Sequence, residues 1–258
     1  MKRLVTFFTL LALVLAVSCA QVYAAQKIET ISVFTAGPAG DIGAFALKDG
    51  VVTRNGVALD SYVHEVPPEV EGPVRYWSSF DSYTDDAVPE SERGVYFFAH
   101  DGVCLTHVPV ESGVQDVIFS PSGRRFVLVT GSGMRPDIFF EVYDGTEKIA
   151  ELTGIRGTLM WIDPVRFVLT RIDDGYREGR FLNLSYRLRL SAVMYDTALR
   201  EAIVLKGSTD TQDFWAGGVT EDGLSLNIAE DYVNSEEDWA DEEKIETRTI
   251  QIEIPAAG

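Results

Sequence analysis

Cysteine is almost missing from this chain: there are two, Cys19 and Cys104, and the first lies in an apolar N-terminal stretch. If that stretch is removed no internal disulfide is available, so the fold must hold by burial alone. Positive charge is scarce as well, with 22 Lys and Arg against 40 Asp and Glu and a net charge of −18. That balance argues against nucleic acid, whose phosphates need clustered Lys and Arg, and against charge-driven attachment to anionic lipid. It suits a cationic partner or a metal ion, or it is simply a soluble acidic surface. Long apolar runs are confined to the N-terminus, and nothing after it approaches the roughly 20 residues of a membrane span.

The N-terminus itself carries an export signal. Lys2 and Arg3 precede fourteen mostly apolar residues, Leu4 to Val17, and Val22-Tyr23-Ala24 has the small-residue pattern cut by a signal peptidase. Residues 1–24 are therefore read as a signal peptide and 25–258 as one exported domain, periplasmic or extracellular. An uncleaved anchor is disfavoured because its core is shorter than about 20 residues. A lipoprotein is the remaining alternative. Leu15-Ala16-Val17-Ser18-Cys19 is similar to a bacterial lipobox, with Ala16 where leucine is usual, and would make Cys19 a lipidated membrane anchor. Lys2 and Arg3 contribute +2 to the total of −18, so the mature chain stands at −20.

Asp-Gly and Gly-rich turns recur between short β-branched and aromatic runs, which predicts a nearly all-β chain. Predicted strands include Ile28 to Phe34, Val95 to Ala99, Arg125 to Thr130, Arg166 to Thr170, Leu188 to Tyr195 and Arg248 to Ile254. Val95-Tyr96-Phe97-Phe98-Ala99, Phe126-Val127-Leu128-Val129 and Phe167-Val168-Leu169 do not alternate, so both of their faces should be covered. Small antiparallel sheets stacked around an axis, a β-propeller, achieve this; a β-sandwich is the alternative fold.

A repeat favours the propeller. Val117-Ile118-Phe119-Ser120-Pro121-Ser122-Gly123-Arg124-Arg125-Phe126-Val127-Leu128 matches Met160-Trp161-Ile162-Asp163-Pro164-Val165-Arg166-Phe167-Val168-Leu169 at a spacing of 43. Gly218-Val219-Thr220-Glu221-Asp222-Gly223-Leu224 is a third copy, displaced by an insertion around Asp173 to Ser185. The Ser120 to Phe126 segment, followed by Ile138 to Tyr143 and Asp144-Gly145, resembles the WD40-like repeat of TolB-type periplasmic propellers. In that family a Ser-Pro-Asp-Gly turn joins the first two strands of a blade; here Ser122 replaces the aspartate. The resemblance covers one blade well and others partly. It implies a binding module of the cell envelope. Turn-bounded units at 25–74, 75–112, 113–155, 156–208 and 209–254 give about five four-stranded blades.

Catalytic motifs are scarce. His100, Cys104 and His107 look metal-like, but a tight Asp101-Gly102 turn would pair Ala99 with Cys104 and Tyr96 with His107, setting Cys104 on the face opposite both histidines. There is no Gly-x-Ser-x-Gly element, and His64 reads as an exposed loop residue. Gly131-Ser132-Gly133 lacks the helix and lysine of a phosphate loop. Carboxylates are too many to nominate a glycosidase pair. The chain therefore reads as non-enzymatic, with an exported hydrolase or lyase acting on carbohydrate as the alternative. No cofactor is called beyond Ca²⁺ at an acidic run.

Two charge features remain. Arg156, Arg166, Arg171, Arg177, Arg180, Arg187, Arg189 and Arg200 crowd the fourth unit, and Glu236, Glu237, Asp238, Asp241, Glu242 and Glu243 surround Trp239 in the fifth. Trp77, Trp161 and Trp215 read as core. Trp239 reads either as an exposed contact residue or as a lid on the rim. The acidic run is expected to project from the core and, with Trp239, to bind an envelope protein or extracellular ligand of positive charge, or else Ca²⁺. Maturation is directly testable: intact-mass measurement of secreted protein should give an N-terminus at Ala25, and a mass starting at acylated Cys19 would establish the lipoprotein instead.

Overall fold

The computed structural model describes residues 42–80, 88–110, 113–131, 137–181 and 184–255. The signal peptide, Cys19 and the predicted strand Ile28 to Phe34 lie outside the described residues. What is described is all β, with short 3-10 turns and no α-helix among the described residues.

Local turn chemistry cuts the chain into five consecutive antiparallel meanders. The first contains β1 (Phe45–Lys48), β2 (Val51–Arg54) and β3 (Val57–Ala58). Asp49-Gly50 and Asn55-Gly56 join these strands with positive φ at both central residues, the type I′ geometry that matches strand twist. The second contains β4 (His64–Glu65), β5 (Tyr76–Phe80), β6 (Gly94–Phe98) and β7 (Cys104–Val108). The third contains β8 (Val114–Phe119), β9 (Arg125–Thr130), β10 (Asp137–Asp144) and β11 (Glu147–Ile155). The fourth contains β12 (Met160–Trp161), β13 (Arg166–Phe181), β14 (Leu184–Asp196) and β15 (Glu201–Lys206). The fifth contains β16 (Gln212–Val219), β17 (Ser225–Tyr232) and β18 (Glu246–Glu253).

The sequence repeat occupies the same place in three meanders, the turn from first to second strand. At the first copy Ser120 N donates to Arg125 O and Gly123 N to Ser120 O; at the third, Thr220 N donates to Ser225 O and Gly223 N to Thr220 O. Gly123 is required twice over: its φ is +67°, and a Cβ there would lie 1.9 Å from the Glu71 carbonyl oxygen of the preceding meander. At the second copy Asp163 takes over, accepting from the amides of Val165 and Arg166, both at 2.8 Å.

Strands that lack alternation are buried on both faces, and each face belongs to a different core. In β6, Tyr96 and Phe98 pack with Phe45 and Val52 of the first meander, while Val95 and Phe97 pack with Phe119, Phe126 and Leu128 of the third. In β9, Val127 and Val129 turn the other way, onto Phe167, Leu169 and Val193 of the fourth. In β13, Val168 faces Phe214, Leu226 and Ile228 of the fifth. The third and fourth meanders also touch edge to edge, Gly154 of β11 pairing with Arg171 of β13, so eight strands form one sheet. Gly154 permits this, since a Cβ there would sit 2.5 Å from the Thr170 carbonyl oxygen.

The structure differs from the sequence reading in three places. The predicted strands Arg166 to Thr170 and Leu188 to Tyr195 are longer than expected, because β13 and β14 run on into the Asp173 to Ser185 insertion as one long hairpin. The first and last meanders have three strands among the described residues rather than four. Finally, the β6–β7 hairpin is bulged. Phe98, not Ala99, opposes Cys104, and the register slips between Phe97 and Phe98 while Tyr96 still opposes His107. Tyr96 and Phe98 share a face, so the bulge puts Cys104 on the same face as His107.

Candidate functional site

The acidic run forms two short 3-10 turns, Glu236–Ala240 and Glu242–Lys244. Several of its acids have local work. Asp238 Oδ2 accepts from the Ser235 amide at 3.1 Å and its hydroxyl at 3.0 Å, while Oδ1 accepts from Lys244 Nζ at 2.6 Å. The Lys244 ammonium, with Ser235, holds the Asp238 carboxyl below the usual carboxylate range. Asp241 Oδ1 accepts from the Glu243 amide at 3.2 Å. Glu236, Glu237 and Asp238 occupy a first turn, where backbone N–H groups favour negative charge. Glu236, Glu237, Asp241, Glu242 and Glu243 are exposed. Among the described residues no group of three or more His, Cys, Asp or Glu is placed to share a metal ion.

Trp239 is not the exposed contact residue of the first of its two sequence readings. It is 0% exposed, its Nε1 donates to the Asp210 carbonyl at 2.7 Å, and the Arg187 guanidinium lies over its ring at 4.3 Å. An indole so enclosed cannot touch a partner, and the run is folded against the β13–β14 hairpin of the fourth meander rather than standing clear of the core. Beneath it lies a buried polar network. Arg187 Nε donates to Asp213 Oδ2 at 3.1 Å, and Arg187 Nη2 to Asp231 Oδ2 at 2.9 Å. The same Asp231 oxygen accepts from Trp215 Nε1 at 3.0 Å, and Asp213 Oδ1 from the Leu190 amide at 3.0 Å. Arg189 pairs with Asp210 at 2.6 Å. Arg187 and Arg189 of the fourth meander thus meet acids of the fifth, namely Asp210, Asp213 and Asp231.

The remaining sequence candidates resolve as packing. Burial pushes the Cys104 thiol up to about 12, which leaves it inert at neutral pH. His107 Nε2 lies 3.0 Å from the Arg93 carbonyl oxygen and its ring stacks on Tyr96; burial lowers its pKa. A second polar knot joins β13 and β14. Asp173 accepts from the Ser191 hydroxyl, from the Ser208 hydroxyl at 2.7 Å and from Arg171 Nη2 at 2.8 Å. Burial alone would raise the Asp173 pKa, but these donors bring it below the usual value.

A further site, unmarked by any catalytic motif, opens where the early strands of three meanders come together. It is a cleft of about 470 Å³ reached by β4 and β5, β8 and β12. Its apolar lining includes Trp77, Phe119, Val70 and Trp161. His64 opposes Trp77 in register and stacks on it, ring centroids 4.0 Å apart and planes 9° off parallel. Trp161 Nε1 donates to the Ile118 carbonyl at 3.2 Å, tying the fourth meander to the third and fixing the indole at the cleft wall. Glu65, Glu69 and Asp116 are exposed on the same cleft. The sequence carried a signal for it: Ile118 and Trp161 are equivalent positions of the repeat.

Stability measurements separate the two acidic regions. Trp239→Ala should lower unfolding free energy by about 3–5 kcal/mol, the cost of emptying a fully packed aromatic site. Joint conversion of Glu236, Glu237, Glu242 and Glu243 to Gln should change it by less than about 1 kcal/mol, since all four are exposed. Urea titrations followed by circular dichroism decide; a Trp239→Ala protein as stable as the parent would contradict the buried placement.

No protein-family model matches the chain, and no curated protein does. Among solved structures it is similar to a post-proline cleaving enzyme from Rickettsia typhi, with a TM-score of 0.38 and 10% identity, over 90% of this chain and 34% of that one. The chain thus spans about a third of that enzyme's length, and at this TM-score the likeness supports no argument about fold or function.

Proposed function

We propose that the chain is an exported, non-enzymatic binding module of the cell envelope, built as a five-bladed β-propeller of the TolB-like kind, with its ligand in the cleft between β4, β8 and β12. The observation that carries this reading is the cleft's position. Innermost strands of a propeller line its axis, so a cleft bounded by the first strands of three successive meanders is where an axial ligand would sit. Blade stacking is supported by central strands that feed a separate core on each face. The repeated turn at Ser120, Asp163 and Thr220 supports the TolB-like resemblance. Export rests on the sequence of residues 1–24, and the ligand is an envelope protein or an extracellular molecule.

Closure belongs to the same proposal. β18 pairs with β17 and is the outer strand of its three-stranded sheet. Ile28 to Phe34 would supply the fourth strand and cover that edge, joining first and last blades. A chain shortened by residues 25–36 should then unfold in urea at a lower midpoint and with a broader transition than the mature protein. An unchanged, equally sharp transition would refute closure.

One observation favours a second reading, an exported propeller hydrolase or lyase acting on carbohydrate: the cleft combines indole rings with several carboxylates, the groups such chemistry employs. Quantitative pull-downs from an envelope extract and turnover assays on polysaccharides, run side by side, discriminate. The binding module predicts that reversing charge at Glu65 and Asp116 to Lys abolishes capture without a change in thermal midpoint, and that no sugar polymer is cleaved. Capture unaffected by the reversal would remove the cleft from consideration; polysaccharide cleavage lost on Asp116→Asn would establish the enzyme.

A further inference from the structure

The cleft also has a chemical preference, which presupposes that it is the ligand site. We infer that its occupant is an extended peptide segment of a partner protein carrying at least two Arg or Lys side chains.

Among its side chains the cleft offers acceptors and ring faces but few donors. Glu65, Glu69 and Asp116 are exposed on it, and among the described residues none of them is in a salt bridge. Some carboxylates elsewhere are matched, Glu92 with Arg54, Asp144 with Arg124 and Arg125, Glu230 with Arg248, while exposed Glu201 and Glu253, far from the cleft, are in no ion pair among the described residues. No Lys or Arg is among the cleft's lining residues. Trp161 has already given its single donor to Ile118, so a ligand meets the ring alone. Pro67 and Pro121, also on the cleft, have no amide hydrogen to give. His64 is the one exposed side-chain donor among the lining residues.

Ligand classes fit this surface unequally. An anion needs donors and meets carboxylates. A sugar needs donors and acceptors together around each hydroxyl. A guanidinium or ammonium brings donors only, finds acceptors, and gains further from an indole face. The placement of the acids then separates a single ion from a peptide. Glu65 and Glu69 belong to the second meander and Asp116 to the third, and among the described residues no three such groups converge on one point. Basic groups spaced along an extended backbone match separated carboxylates; one compact ion does not. The volume, about 470 Å³, lies in the range that takes a ligand of two side chains and the backbone between them.

Isothermal titration of the mature protein tests this with acetyl-Gly-Arg-Gly-Arg-Gly-amide, its neutral citrulline analogue and an N-acetylglucosamine hexamer. The arginine peptide should bind, and more weakly as NaCl rises from about 0.05 M to about 0.3 M. The citrulline peptide should bind about tenfold or more weakly, and the combined variant Glu65→Gln, Glu69→Gln, Asp116→Asn should lose a similar factor for the arginine peptide. All three positions are exposed, so the variant should melt like the parent; Asp116→Asn alone, expected to show a smaller loss, provides a second measurement if it does not. Absence of arginine-peptide binding, equal binding of the citrulline peptide, or equal affinity in the combined variant overturns the inference. Should the sugar hexamer bind instead, and weaken in the combined variant, the cleft stands as a ligand site and only its cationic specificity falls. Should envelope capture persist undiminished in the combined variant, the cleft falls with it.

Discussion

Burial on two faces is the constraint on which this structure depends. A small sheet with one apolar face needs one partner; β6, β9 and β13 have two apolar faces and each needs two. Phe126, Val127 and Leu128 are all 0% exposed, and consecutive residues feed different cores. Each fully buried side chain of this size contributes about 1.5–3 kcal/mol, so uncovering one face of a central strand would cost more than a typical domain can lose. A meander is therefore stable only between its neighbours. That requirement stacks the sheets and brings successive first strands together at the cleft.

The same apolar strands create a problem of register. In a half-exposed strand a one-residue slip exposes the core face, which enforces alignment. Where both faces are apolar, slipping costs little by hydrophobicity alone, and the turns must set the register. The Ser120 to Gly123 and Thr220 to Gly223 turns are closed by paired backbone bonds, and each needs glycine at positive φ. Gly123 further lets its turn approach Glu71 of the preceding meander, whose amide donates to Pro121 O at 2.9 Å. Between the fourth and fifth meanders the apolar contacts are smaller, including Ala192 and Met194, and directional bonds take over. Arg187 reaches Asp213 and Asp231 together, fixing β14 against β16 and β17.

Much of the fold was legible because turn chemistry and lack of alternation are local signals. Apolar strands such as Phe126 to Val129 declare themselves. Six strands do not: β2, β3, β4 and β12 are short, β11 carries polar residues in Glu147-Lys148-Ile149, and β16 includes Gly217 and Gly218. The bulge that realigns Cys104 carries no turn signal: Leu105, the extra residue between Cys104 and Thr106, packs against the core shared by the second and third meanders. The functional site was the least legible. A run of acids around one tryptophan advertises an exposed patch, yet Trp239 is drawn inward by an Arg187 that lies far away in sequence. The cleft gave no motif, because Glu65, Asp116 and Trp161 come from three meanders and only the stacking unites them.

Charge accordingly has three separate roles in this acidic molecule. Asp213, Asp231 and Glu230 are matched to arginine across strands and belong to the fold. Asp238 and Asp241 bind backbone or neighbouring side chains and shape their own segment, leaving Glu236, Glu237, Glu242 and Glu243 as a solvated face. Glu65 and Glu69 belong to neither group, being in no ion pair among the described residues, and with Asp116, whose Oδ1 accepts from the Val117 amide at 2.8 Å, they flank an aromatic cleft beside the core shared by the second and third meanders.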